Sequence, residues 1–163
     1  MSKMQRTKGK VFERAVANLL RKAFPGVTVR RASQAERAAN PDVFFADSVC
    51  PLSQLWCELT DSINPNPVKK LEQAERDIRA RFTTHSDFRY GGSIPVCIWH
   101  RLRERTIYAT LRLSALEYLA TQAQTGPFGA NTPVTMDVED FLRIVAAHGR
   151  ARSPAARSTP LRW

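Results

Sequence analysis

The chain has 163 residues, 43% of them hydrophobic and 25% charged, which suffices for one domain with a true core and excludes two comfortable ones. Its 25 Lys and Arg against 15 Asp and Glu give a net charge of +10, which argues for a polyanionic partner, nucleic acid first and a membrane surface second. No apolar run approaches a membrane span, and the odd number of cysteines (Cys50, Cys57, Cys97) excludes a complete set of disulfides within the chain.

The charge is concentrated at the ends. Residues 1–37 carry ten Lys or Arg and two Glu, residues 149–163 carry four Arg and no acid, and the stretch between is nearly neutral. The expected organisation is a single domain over residues 1–148 followed by a solvated, flexible basic tail over 149–163. A reduced, intracellular protein is expected. Glu13 and Arg14 interrupt what would otherwise be a signal-peptide core, and an Arg-rich organelle-targeting helix is the open alternative.

Phe12, Val16, Leu19, Leu20 and Ala23 recur at helical spacing, predicting an amphipathic helix from about Gly9 that Pro25-Gly26 ends. Glu13 lies about 100° round from Phe12, at the border of the apolar stripe, where taken alone it reads as a surface residue. Val27–Arg31 reads as a β-branched strand whose Arg30 and Arg31 point to opposite faces, and residues 32–40 read as an exposed loop.

Two acidic strands follow, Pro41–Phe45 and Leu55–Asp61, which are expected to pair as a hairpin. Strand alternation puts Asp42 on a face with Phe44, and Glu58 on a face with Trp56 and Thr60. Both carboxylates interrupt apolar runs. A charge there is costly to bury unless it is paired or coordinates a metal, so two of them on neighbouring strands suggest a cation site.

After the turn Asn64–Pro67, a helix opens at Pro67 or Val68 with Leu71, Ala74, Ile78 and Phe82 as its buried stripe. Lys69 falls opposite that stripe, whereas Lys70 lies at its border and heads a ridge with Gln73 and Asp77. Residues 85–92 read as loop and Ile94–Trp99 as a buried strand, with Pro95 breaking its start. Cys97 and Cys57 suit small buried hydrophobes, and Cys97 and His100 point to opposite faces, so zinc is not expected. Arg101–Arg105 reads as the basic tip of a hairpin completed by Thr106–Leu111; ordinary solvated turn and DNA-backbone contact are equally open for it. Ser114 reads as the cap of a helix to about Gln124, 125–133 as loop, and Asp137 as the cap of a last helix that ends near His148-Gly149. The order α-β-β-β-α-β-β followed by helices predicts an α/β or α+β domain with a mixed sheet flanked by helices.

The series Gly9-Lys10-Val11-Phe12-Glu13-Arg14, Asn40-Pro41-Asp42-Val43 and Glu58-Leu59-Thr60, followed by a helix with Lys70 and Gln73, resembles the PD-(D/E)XK nuclease superfamily. Within it, the phage and archaeal Holliday-junction-resolvase-like members are most similar in order and spacing, over roughly residues 8–113. The resemblance implies a restriction-endonuclease-like core, Mg²⁺ (or Mn²⁺) held by Glu13, Asp42 and Glu58, and metal-dependent endonucleolytic cleavage of DNA, including branched DNA. It also implies a homodimer in the cytoplasm of a bacterium or phage-infected host cell. One position departs from the pattern: where the family has a strand lysine this chain has Thr60. Helix geometry predicts that Lys70 supplies the ammonium instead, assisted by Gln73, so that the expected catalytic set is Glu13, Asp42, Glu58, Lys70 and Gln73. The alternative for Lys69 and Lys70 is that both are solvated charges at a helix start. Lys8, Lys10, Arg30 and Arg31 are expected to contact backbone phosphates without reading sequence. A nuclease-like fold that binds nucleic acid without cutting is the second expectation, and a small basic packaging protein the third.

Overall fold

In a computed structural model describing residues 3–33, 35–36, 40–46, 51–84, 93–121 and 132–152, the chain folds as α+β around one six-stranded mixed sheet. In chain order the elements are α1 (Lys3–Ala23), β1 (Val29–Arg31), β2 (Val43–Phe45), a short 3-10 turn (Pro51–Gln54), β3 (Leu55–Ser62), α2 (Pro67–Thr84), β4 (Ile94–Arg101), β5 (Ile107–Arg112), α3 (Leu113–Thr121), β6 (Pro133–Asp137) and α4 (Val138–Arg152). The strands lie in the sheet in the order of the sequence. Every neighbouring pair is antiparallel except β3 and β4, which run parallel because α2 carries the chain back between them.

The two faces of the sheet are unequal. On one, α1, α3 and α4 bury the main core: Phe12, Val16 and Leu20 of α1 and Phe141 and Val145 of α4 close on Val43, Cys57, Val96, Ile98 and Leu111 of the strands. Each fully buried side chain of this size contributes about 2 kcal/mol relative to exposure. On the other face α2 packs through Ala74 and Ile78 on Trp56, a much smaller cluster. Strand parity sorts the residues. Leu55, Cys57 and Leu59 of β3 face the main core, while Trp56, Glu58 and Thr60 face α2.

α1 ends where Pro25-Gly26 predicts, with Gly26 in the left-handed region at φ 87°, but it starts at Lys3, six residues before Gly9. α4 likewise runs past Gly149 to Arg152, because a single glycine near a helix end costs only about 1 kcal/mol. The tail over 153–163, the loop over 85–92, and Gln34 and Arg37 lie outside the described residues. α3 begins at Leu113, so Ser114 is inside the helix and not its cap; the Leu113 N–H donates instead to the Thr132 carbonyl at 2.9 Å. Asp137 does cap α4, its Oδ1 accepting the Glu139 N–H at 2.9 Å.

β6 is an element that the sequence pattern does not announce. It is a short edge strand with Pro133 at its first position, where no ladder donor is lost, and it pairs with β5 from Arg112↔Pro133 to Tyr108↔Asp137. Pro95 is similarly accommodated inside β4, opposite Trp56. Among the described residues no helix is long and apolar enough to cross a membrane.

Candidate active site

The register of the β2–β3 hairpin does the assembling. Val43 pairs with Cys57, and the Ala32 N–H to Asp42 carbonyl bond of 3.1 Å continues the β1–β2 ladder one residue before β2. Counting out from the Val43↔Cys57 pair in an antiparallel hairpin sets Asp42 opposite Glu58, with both side chains on the α2 face. Directly opposed residues stand about 5 Å apart at Cβ, so the two carboxylates repel one another.

Each carboxylate has an oxygen fixed by a donor from the chain. The Trp56 indole donates from Nε1 to Glu58 Oε1 at 3.1 Å, and the Leu59 backbone N–H donates to Asp42 Oδ2 at 3.0 Å. Glu58 is only 6% exposed while Asp42 is half-buried. Burial, then the charge of Asp42, lifts the Glu58 carboxyl above the ordinary carboxylate range; Lys70 and the Trp56 hydrogen bond hold it back.

Lys70 arrives from the first turn of α2. Its Nζ donates to Glu58 Oε2 at 3.3 Å, while Lys69 is exposed, as the helical phase predicts. The helix start that brings Lys70 there is held by Asn66, whose Oδ1 accepts the Lys69 N–H at 3.0 Å and whose carbonyl accepts the Lys70 N–H at 3.2 Å. Gln73, one turn further on, is half-buried. Thr60 is also half-buried, two residues beyond Glu58 on the same face.

Glu13 is not brought to this pair. It is 6% exposed and its Oε2 accepts from Arg31 Nη2 at 2.5 Å and Nε at 3.2 Å. Arg31 has the parity of Val29, which lies in the core under α1, so the ion pair belongs to the opposite side of the sheet from Asp42 and Glu58. Among the described residues no group of three or more His, Cys, Asp or Glu could hold a metal ion. The expected three-carboxylate set is therefore reduced to the Asp42–Glu58 pair, and Arg31 is committed to Glu13 and not presented as a free phosphate contact.

Helical phase puts Glu13 at the edge of the apolar stripe, where taken alone it reads as a surface residue; it is instead buried, because Arg31 of β1 meets its carboxylate there. Replacing Glu13 by Ala is expected to leave Arg31 half-buried without this carboxylate and to cost about 2 kcal/mol of stability. A thermal melt checks it: an unchanged Tm would mean that the ion pair contributes nothing. Arg30, on the opposite face from Arg31, is 57% exposed at its side chain, with its guanidinium 6.0 Å from the centre of the Phe44 ring and 3.9 Å from Glu36. Lys10 is exposed and Lys8 lies in α1 with its side chain outside the described residues.

The donor set suits a hard cation. Mg²⁺ is commonly held by one or two carboxylates with the remaining positions given to water and substrate phosphate, and two opposed carboxylates with excess negative charge are relieved by such an ion. Cys97 is the residue paired with Glu58 in β4, but burial pushes its thiol up to about 12, so it stays a neutral packing group.

An Asp–His pair that the sequence pattern does not flag stands at the far ends of β3 and β4. His100 Nδ1 lies 3.0 Å from Asp61 Oδ1, Nε2 lies 2.6 Å from the Glu104 carbonyl, and the ring stacks on Phe12 of α1 at 5.9 Å. Both nitrogens face acceptors, so the imidazolium satisfies both; the hydrogen bond to Asp61 raises the pKa of His100 above its usual value. The pair is on the α1 side and locks the β4–β5 turn, apart from the carboxylate pair. No protein-family model matches the chain, and no curated protein matches it either.

Proposed function

We propose that this protein is a metal-dependent DNA endonuclease of the PD-(D/E)XK type, with Asp42 and Glu58 holding Mg²⁺ or Mn²⁺ and Lys70 acting from α2. The observation that carries the proposal is the convergence on one sheet face of two opposed carboxylates and an ammonium 3.3 Å from one of them, in a chain of net charge +10. Such a cation supplies a Lewis acid for the phosphoryl oxygen and an acidified water.

The chain's own groups then have separable tasks. Trp56 and the Leu59 N–H hold the carboxylates in orientation, which keeps the pair from swinging apart. Lys70 offers a positive charge where negative charge builds on the phosphoryl group, in place of the strand lysine that Thr60 lacks. Gln73, a turn away on the same ridge, would hydrogen-bond water or phosphate. Lys8, Lys10 and Arg30 contribute sequence-independent phosphate attraction. Relatives of the type that the chain resembles commonly act as dimers, and a homodimer is part of the proposal.

The second reading, a nuclease-like fold that binds DNA without cutting, is favoured by Glu13 being neutralised by Arg31 instead of standing beside Asp42 and Glu58. Incubating the purified protein with linear and four-way branched DNA, with Mg²⁺, with Mn²⁺ and with chelator, separates the readings. Metal-dependent cleavage is the expected result. Binding of either DNA with no cleavage in any metal selects the second reading, and neither binding nor cleavage removes both.

A further inference from the structure

We propose that Trp99 and Tyr108 form a stacking platform for an unpaired DNA base beside the carboxylate pair, so that the substrate carries a single-stranded stretch. The proposal rests on the endonuclease reading for its purpose, but its geometry stands separately. Trp99 and Tyr108 are direct cross-strand partners in β4 and β5, with ring centroids 4.6 Å apart and planes 27° apart, and both are half-buried, so part of the pair faces solvent. Trp99 has the parity of Cys97, opposite to that of Val96 and Ile98 in the main core, which puts the pair on the α2 face together with Glu58.

The relation to the site follows from register. Glu58 pairs with Cys97 and Thr60 with Trp99, so the indole stands one strand across and two residues along from Glu58, about 8 Å at Cα from ordinary strand rise and spacing. The indole is also held in place. Its Nε1 donates to Thr110 Oγ1 at 2.9 Å, and Thr110 in turn shares a hydrogen bond of 2.7 Å with Thr135 of β6. A ring fixed in advance loses little freedom when a base is laid on it.

Charge complementarity identifies the occupant as part of a polyanion. The two strands that carry the rings meet in the turn over 102–106, which with Arg101 at the end of β4 presents Arg101, Arg103 and Arg105, all exposed, Arg101 being paired with Glu104 at 3.1 Å. A basic turn that tracks a phosphate backbone next to an aromatic surface that accepts any base is the combination by which single strands are bound without sequence preference. A paired base inside a duplex has both faces covered and cannot use such a platform.

The test is a fluorescence-anisotropy titration of labelled DNA in chelator, so that cleavage plays no part. The probes are a single-stranded oligothymidine and a blunt duplex of the same length, with wild type, Trp99→Leu, Trp99→Phe and Tyr108→Leu. The expected result is that Trp99→Leu weakens single-strand binding about tenfold, corresponding to loss of one stacked base, while duplex binding changes less than about twofold and Trp99→Phe keeps most of the affinity. If Trp99→Leu fails to fold, Tyr108→Leu carries the same expectation. A folded variant that binds the single strand as wild type does, or that loses both DNA forms equally, overturns the platform. Wild-type cleavage in Mg²⁺ is read separately: its absence beside a Trp99-dependent single-strand preference overturns the endonuclease and leaves the platform.

Discussion

Glu58→Gln and Asp42→Asn are each expected to lower metal-dependent cleavage by at least about a hundredfold while leaving the fold intact, because the lost group would stabilise charge at the reacting centre and does not fill the core. The fold is expected to gain. Glu58 in the native protein holds its proton more tightly than an unfolded glutamate, owing first to burial and then to Asp42. For a carboxyl with a raised native pKa, stability falls as pH rises through the titration, since the native state binds the extra proton. A neutral Gln at 58 escapes that penalty and still accepts the Trp56 N–H, so the variant should melt at or above wild type at pH 7, with the advantage disappearing in acid. Asn at 42 can also still accept the Leu59 N–H. Relief of like-charge repulsion on removing a carboxylate is a common signature of sites kept for function at the expense of stability. Calorimetric titration with Mn²⁺ should show lost binding in both variants. Full cleavage by both would end the endonuclease reading.

Lys70→Met should be the most informative single change, because one side chain is asked to do two things. It is the cation 3.3 Å from a carboxylate that is otherwise buried beside a second carboxylate. Removing it pushes the Glu58 carboxyl further up, and at neutral pH the fold must either bear an uncompensated charge or take up a proton. We expect a loss of about 1 to 2 kcal/mol at pH 7 to 8, modest because Lys70 is partly exposed. The loss should shrink as pH falls and vanish below the ordinary glutamate value of 4.5, where Glu58 is protonated in both folded and unfolded chains. Adding Glu58→Gln to Lys70→Met should recover the stability and not the activity. In cleavage, Lys70→Met should lose far more than Lys69→Met, whose side chain is exposed, and Thr60→Lys should partly restore it from the neighbouring position on β3. Equal and small losses from both lysine changes would remove Lys70 from the chemistry and favour the fold that binds without cutting.

Most of the architecture was legible because it is written in local periodicity. The helical spacing of Phe12, Val16 and Leu20 and of Leu71, Ala74 and Ile78 states which stripes are buried, and those residues are buried. Prolines and glycines at 25, 26, 65 and 67 mark helix limits to within a residue or two. β6 was not legible, since five residues starting with proline carry too little pattern to mark a strand between the loop over 125–133 and the Asp137 cap. Its partner, β5, supplies the pairing that the segment lacks alone. The extra turns of α1 and α4 were missed for the opposite reason: Gly9 and Gly149 are breakers by propensity, and helix on either side of them overrides a cost of about 1 kcal/mol.

The sequence by itself determined that Asp42 adjoins one apolar strand and Glu58 interrupts another, that Glu58 shares a face with Trp56, and that Lys70 and not Lys69 borders the buried stripe of its helix. Each of these follows from the phase of a single element, 2 residues for a strand and 3.6 for a helix. Only the tertiary structure decided that Asp42 stands opposite Glu58, that Arg31 holds Glu13 on the other side of the sheet, and that Trp99 and Tyr108 stack beside Glu58. These are matters of how separate elements are set against one another: the register of β2 on β3, of β4 on β3 and β5, and the docking of α1 on β1. A slip of one residue would turn every side chain of a strand to the other face, and what forbids the slip is the burial of Val43, Cys57, Val96 and Leu111 in a core assembled from the whole chain.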